Sequence, residues 1–322
     1  MRKVIKKIAA FTVVATLGIG LLTSCGGDGD FPTRSVAVYV PFTAGGGTDL
    51  VARGIVEAAR SNFPQGIAVE NRTGGGGAIG LVAGATAAPT GYVVTTITVE
   101  SITLPHMGGG VDLGPESFRP IIMLNEAYSV MSVNASSPFH TLDDLLAAAR
   151  EDTVLVGNSG VGAIWHLAAA ALGREAGVEF NHVPFEGAAD ALTSLLGNHI
   201  HAIPVSFPEV YAQVMAGEVR VLAVLGPERI DSIPDVPTAR ELGFDVVVSA
   251  WRGMGVPAGT PDDVVNRLYD IFSEAAVSNS FVNFMDSNNL SINIMNSADF
   301  ARRLRQDDAL FGSLIAELGI GN

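Results

Sequence analysis

The chain has 322 residues, with 33 acidic against 19 basic side chains and a formal charge of −14. That acidity disfavours nucleic acid and anionic membrane surfaces as partners. A hydrophobic fraction of 48% with only 16% charged residues supplies ample core and excludes a disordered chain, and the length suits two domains of ordinary size.

Residues 1–24 read as an export signal. Arg2, Lys3, Lys6 and Lys7 precede an uncharged, mostly apolar run over 8–22, short for a bilayer span. Leu22-Thr23-Ser24-Cys25 resembles a bacterial lipobox, which would make Cys25 the lipidated N-terminus of an envelope protein held at a membrane. An ordinary signal peptide with an incidental cysteine is the alternative. Cys25 is the only cysteine, so no disulfide forms within the chain. Residues 25–33, rich in glycine and aspartate, read as anchor and tether. Removing residues 1–24 takes away four positive charges and no negative ones, leaving a mature chain near −18.

The alternation of Val36, Val38 and Val40 predicts a strand, and Pro41 ends it. Gly45, Gly46 and Gly47 form a turn, with Thr48 or Asp49 as cap of the helix that follows. Such a turn aims free N–H groups and a positive helix end at one space, which favours a carboxylate or phosphate. It serves equally as a tight turn with no ligand. Residues 67–70 read as a second strand and 78–88 as a small-residue helix. The β-branched run 93–99 reads as a buried strand, with Glu100 and Ser101 at its ligand-facing end if the sheet is parallel. Two further strands are expected over 118–124 and 128–133, the second a crossover between domains.

The middle section repeats the strand–turn–helix unit. Thr141 caps a helix over 142–150; strands are expected over 153–157, 181–185, 201–206 and 219–225, and helices over 163–173, 190–196 and 208–215. Ser206 stands at a strand end. A short helix is expected to end at Leu242, and a return crossover strand over 245–251, leaving Arg252 just past its end beside Trp251. Thr260 caps a helix over 262–277 with Pro261 at its first position, and Ser297 caps a terminal helix to about residue 318. The repeated spacing argues for a parallel sheet in both halves.

Signals for chemistry are thin. Gly75 to Gly80 formally satisfies G-x-G-x-x-G, but four consecutive glycines satisfy many patterns and an exported chain meets little NAD. No cofactor is expected. Six scattered histidines show no metal spacing. Residues 157–161 miss the G-x-S-x-G nucleophile elbow, since Val161 stands where the last glycine is needed; an exported hydrolase using Ser159 remains an alternative. His166 reads as a packed helix residue. Asp49 and Arg53 read as an i,i+4 pair, while Arg252 is either a bidentate carboxylate grip or an interdomain salt bridge.

An ordered series of motifs resembles one family across the mature chain: residues 40–49, 70–80 and 88–92, then 157–162 with His166, 183–189, 236–243, Trp251-Arg252-Gly253 and 256–261. The chain is similar to the tripartite tricarboxylate transporter substrate-binding proteins, the Bug receptors. The resemblance implies an α/β fold of the periplasmic-binding-protein type 2 kind, a Venus flytrap of two α/β domains joined by crossover strands. On this reading domain 1 is 34–128 plus 250–322 and domain 2 is 129–249. It implies a monomeric, non-enzymatic receptor that captures a small di- or tricarboxylate or an aromatic carboxylate and delivers it to the membrane subunits of the transporter, or that serves as a ligand-sensing input to a kinase. Ligand contacts are implied for Thr43, Ala44, Gly45, Gly46 and Thr48 of the first loop. On the opposite side they fall to Ser159, Gly160, Val161 and Gly162, and to Gly187, Ala188, Ala189 and Asp190. Ser101 and Ser206 are added as strand-end hydroxyls. The Trp251-Arg252-Gly253 variant resembles the tricarboxylate branch, which makes Arg252 a specificity candidate. Glu186 and Asp190 depart from an anion site and would repel a second carboxylate or bind an ammonium or hydroxyl group.

Overall fold

The computed structural model describes residues 31–320, so the signal segment and Cys25 lie outside the described residues. The first half begins with β1 (Val36–Val40), α1 (Gly47–Ala59), β2 (Ile67–Asn71), α2 (Ala78–Ala85), β3 (Val93–Thr98) and the single turn α3 (Glu100–Thr103). A strand of 17 residues, β4 (Phe118–Asn134), leads into the second half. There follow α4 (Leu142–Glu151), β5 (Leu155–Asn158), α5 (Ile164–Ala176), β6 (Asn181–Pro184), α6 (Ala188–Leu196), β7 (Ala202–Ser206), α7 (Phe207–Met215) and β8 (Val219–Leu225). The chain returns along β9 (Ser249–Pro257) and ends with α8 (Asp262–Ala276), α9 (Asn279–Ser287), β10 (Met295–Asn296) and α10 (Ser297–Leu318).

The strands pair in the order β2-β1-β3-β9-β4-β7-β5-β6, with β8 and β10 also on β4. The expected parallel pairing holds for β2, β1 and β3 and for β5 with β6 and β7. The middle is a correction: β4 and β9 run antiparallel to each other and to their other neighbours. A strand that enters the second half and one that comes back must point opposite ways, and a pattern of strand–helix units does not reveal that.

The two strands expected over 118–124 and 128–133 are one. Residues 118–128 pair with β9, and residues 129–134 pair with β7 and β8. Bulges absorb the irregular register. The return strand is also longer and later than expected. It starts at Ser249 and runs through Arg252 to Pro257, so Arg252 lies inside a central strand and not beyond one. The segment ending at Leu242 forms turns and no helix, and α9 was not expected.

Helix caps divide between the expected and the corrected. Thr141 accepts from Asp144 N–H at 3.2 Å, and Asp144 returns the bond to Thr141 N–H at 2.8 Å, a full capping box. The cap of α1 is Gly46 instead of Thr48 or Asp49; Asp49 reaches back to accept from Gly45 N–H at 2.9 Å. Thr260 bonds Pro257 O while Pro261 is the cap of α8, and Asn296 caps α10 in place of Ser297.

Apolar side chains gather in two clusters. One packs α1, α8 and α9 on one face of the first half, around Ile55, Ile122, Phe272 and Phe281. The larger one fills the second half and reaches across β9 to α10, around Trp165, Leu172, Val205, Trp251 and Phe300. The N-terminal ends of the helices following the parallel strands are left facing one another, where ligands collect in such sheets.

Candidate functional site

A narrow cavity with about 20 Å³ of free volume, room for a water or two, lies where the carboxyl ends of β1, β3, β5, β6 and β7 meet β9. Its walls come from both halves of the chain. Phe42, Gly46, Thr48, Thr98 and Glu100 face Ser159, Ile164, Trp165, Ala188 and Glu209, with Ala250, Trp251 and Arg252 between them. Four helices of eight or more residues, α1, α5, α6 and α7, place a first-turn residue on it. First-turn N–H groups have no acceptor within the helix, so each of these ends is a place for negative charge.

The loops of the two halves touch. A Cβ on Gly160, whose φ is +115°, would stand 2.5 Å from Gly76 Cα, and one on Gly187 would stand 2.5 Å from Thr43 Oγ1. A Cβ on Gly47 would fall 2.8 Å from Arg252 Nη2 and 3.1 Å from Glu209 Oε1. The small residues read as a ligand cradle therefore also let the two halves approach backbone to backbone.

Arg252 is 2% exposed. Its Nε donates to Thr48 Oγ1 at 3.1 Å, its Nη1 donates to Asn125 Oδ1 at 2.8 Å, and its Nη2 lies 3.5 Å from Glu209 Oε1. Of the two roles left open for Arg252, the salt bridge between halves is the one it makes. Burial works against its charge, with Glu209 and Glu100 opposing that effect. Sequence reasoning missed Glu209. The signal available was Ser206-x-x-Glu209 ahead of an apolar run, a capping-box spacing; Glu209 Oε2 does accept the Ser206 N–H and hydroxyl at 2.9 and 2.7 Å.

Glu100 is almost wholly buried, and its Oε1 accepts the Ile164 N–H at 2.9 Å, at the start of α5. Burial pushes its pKa above the usual carboxylate range; the Ile164 N–H, Thr98 and the Arg252 charge pull the other way. A carboxyl with a raised folded pKa favours the fold below its unfolded value and loses that contribution as pH rises through the folded one. Relative to Glu100→Gln, the wild type is expected to lose stability steadily as pH is raised above about 4.5. Thermal unfolding of both proteins across pH checks this, and a difference independent of pH contradicts it.

The predicted site residues divide. Gly46, Thr48, Ser159, Ala188 and Arg252 line the cavity together. Gly45 and Ala189 instead line a neighbouring groove with Leu50 and Tyr211. Thr43, Ala44, Ser101, Gly160, Val161, Gly162, Gly187, Asp190 and Ser206 are not among the residues that wall the cavity. Several cavity or near-cavity groups are buried with no hydrogen-bond partner among the described residues: Thr43 Oγ1, Ser101 Oγ, Asn158 Nδ2 and Ser159 Oγ. Buried polar groups are normally paired, so this cluster is ready for a polar guest. Ser159 has no partnering histidine: His166 Nδ1 accepts the Gly162 N–H at 3.2 Å. Burial, with the nearby His182 imidazole adding to it, lowers the His166 pKa to about 4. The ring is neutral at pH 7 and pins the loop, and the residue is buried in its helix as expected. Asp49 pairs with Arg53 at 2.8 Å. Burial raises the Asp49 pKa, but bonds from Arg53, Gly45 and Asn71 more than offset it and the carboxylate is held low.

Two α/β units with a cavity between them are the architecture of a solute-binding fold, and comparison with known proteins agrees. The family model for the tripartite tricarboxylate transporter family receptor matches residues 51–320. The chain belongs to that family, which is one of receptors and not of enzymes. A solute-binding protein of the same family from Polaromonas, solved without ligand, is 38% identical, with 89% of this chain and 99% of that one covered and a TM-score of 0.65. The periplasmic binding protein BugD is 28% identical over 90% of this chain and 99% of its own, with a TM-score of 0.86. MatC of Rhodopseudomonas palustris with bound malate is 25% identical over 88% of this chain and 100% of its own, with a TM-score of 0.83.

Proposed function

We propose that this chain is an exported receptor that captures a small organic carboxylate, aliphatic or aromatic, and hands it to the membrane subunits of a tripartite tricarboxylate-type transporter. The observation that carries the reading is the cavity at the meeting of four helix starts, lined from both halves, with buried hydroxyls left unpartnered. Export rests on residues 1–24 and a lipid anchor on Cys25, with BugD described as periplasmic.

On this reading residues 34–128 with 250–322 form one lobe and 129–249 the other. The change of partners along β4 between Tyr128 and Ser129 supports that boundary. Ligand then favours closure by its greater affinity for the closed form. The superpositions are in keeping with it. The unliganded Polaromonas protein is the more similar in sequence yet overlays less well than malate-bound MatC, the order expected when lobe arrangement governs the fit.

A thermal-shift screen of the mature domain without Cys25, against mono-, di- and tricarboxylates and aromatic acids with neutral sugars and amines alongside, tests the function. A ligand at a hundredfold excess over its Kd stabilises the folded state by about 2.7 kcal/mol. A clear shift with one class of carboxylate is the expected result. Shifts confined to sugars or amines would overturn it.

A further inference from the structure

Of the four helices with a first-turn residue on the cavity, three are already served by carboxylates of the chain itself, α7 by its own Glu209 and the other two from across the cleft. At α1, Glu209 Oε1 accepts the Gly47 N–H at 3.0 Å and faces Arg252. At α5, Glu100 Oε1 accepts the Ile164 N–H at 2.9 Å. The two are reciprocal, since each carboxylate comes from one half of the chain and each helix from the other. Glu209 cannot step aside cheaply, because its second oxygen is the cap of its own helix, α7. Arg252, the single basic side chain at the cavity among the described residues, has its Nε and Nη1 committed to Thr48 and Asn125 and its Nη2 facing Glu209.

The start of α6 is different. No side chain caps α6 at Gly187, and Ala188 of its first turn lines the cavity beside Ser159. Ser159 is 3% exposed, and its hydroxyl is buried with no partner among the described residues. This is a buried donor turned into the cavity next to the one helix end left open.

We propose that Glu209 is an internal stand-in for one ligand carboxylate, and that the receptor therefore selects a monocarboxylate. The single carboxylate sits at the start of α6 with Ser159, and the uncharged remainder lies against Phe42, Trp165 and Trp251. A second carboxylate would meet Glu209 or Glu100 at contact range with no unspent positive charge to offset it. The proposal rests on the carboxylate-receptor reading and narrows it.

Titration calorimetry with pairs matched in carbon count tests it: butyrate against succinate, hexanoate against adipate, and 4-methylbenzoate against terephthalate. In every pair that binds, the wild type is expected to hold the monocarboxylate at least tenfold more tightly. Glu209→Gln, which removes the charge but keeps a side chain suited to the cap, is expected to strengthen dicarboxylate binding at least tenfold. A wild type that prefers dicarboxylates overturns the proposal and leaves the receptor reading intact, and this comparison decides even if the variant does not fold. An unchanged preference in a folded Glu209→Gln also overturns it. Silence from every acid in the set removes the carboxylate reading and this narrowing with it.

Discussion

Arg252→Ala is expected to lower the stability of the domain by about 3–5 kcal/mol, the range for removing one partner from a buried ion pair. The guanidinium is buried in the middle of β9 and joins three segments distant in sequence: Thr48 of α1, Asn125 of β4 and Glu209 of α7. Its loss leaves Glu209 inside the protein without its cation, Glu100 without the charge that helps hold it ionised, and Thr48 and Asn125 each short of a bond. Urea unfolding of the ligand-free protein measures the change. Arg252→Ala combined with Glu209→Gln should recover part of the loss, because the double variant no longer buries an unpaired charge. A single variant within about 1 kcal/mol of wild type would mean that the pair behaves as a solvated surface bridge, contrary to its burial.

Trp251→Ala is expected to cost a similar amount, about 3–5 kcal/mol, through the volume it empties. Trp251 has no exposed surface, packs edge-on against Phe300 with ring centroids 5.2 Å apart, and donates from Nε1 to Asp307 Oδ2 at 2.7 Å. Asp307 also accepts from Arg303 Nε, and Arg303 reaches on to Glu126 at 2.9 Å. The indole therefore fastens α10 to the two central strands while its other face lines the cavity. Trp251→Phe separates the two contributions: it keeps most of the packing and removes the donor, leaving Asp307 to Arg303. A cost for Trp251→Phe well below that for Trp251→Ala, read from urea midpoints, is the expected order. Equal costs would assign the whole effect to the hydrogen bond.

Much of the fold was legible because its elements announce themselves locally. Val36–Val40 alternates, Val219–Leu225 is a buried β-branched run, and Thr141 and Asp144 hold the spacing of a capping box. What escaped depends on distant partners. β9 read as a loop after Trp251 because Gly253 and Gly255 look like breakers. In the fold a Cβ on Gly253 would stand 2.3 Å from the Phe300 ring and 2.6 Å from Ile122 O, so the glycine is there to let α10 pack on the strand. α9 hid in an Asn- and Ser-rich stretch, with Phe281 and Met285 as its only fully buried positions. The glycine loops, Ser159 and Arg252 could be picked out as site candidates. Glu209 could not, since its place at α1 is set by packing between segments 162 residues apart.

The most direct test of the account is a crystal structure of the mature domain with the tightest-binding carboxylate from the screen. The account predicts the ligand in the cavity between the halves, its carboxylate within hydrogen-bond distance of Ser159 Oγ and the first turn of α6, and Glu209 still bonded to Gly47 and Ser206. A ligand bound elsewhere with this cavity unfilled, or a carboxylate seated on Gly47 with Glu209 displaced, would contradict it.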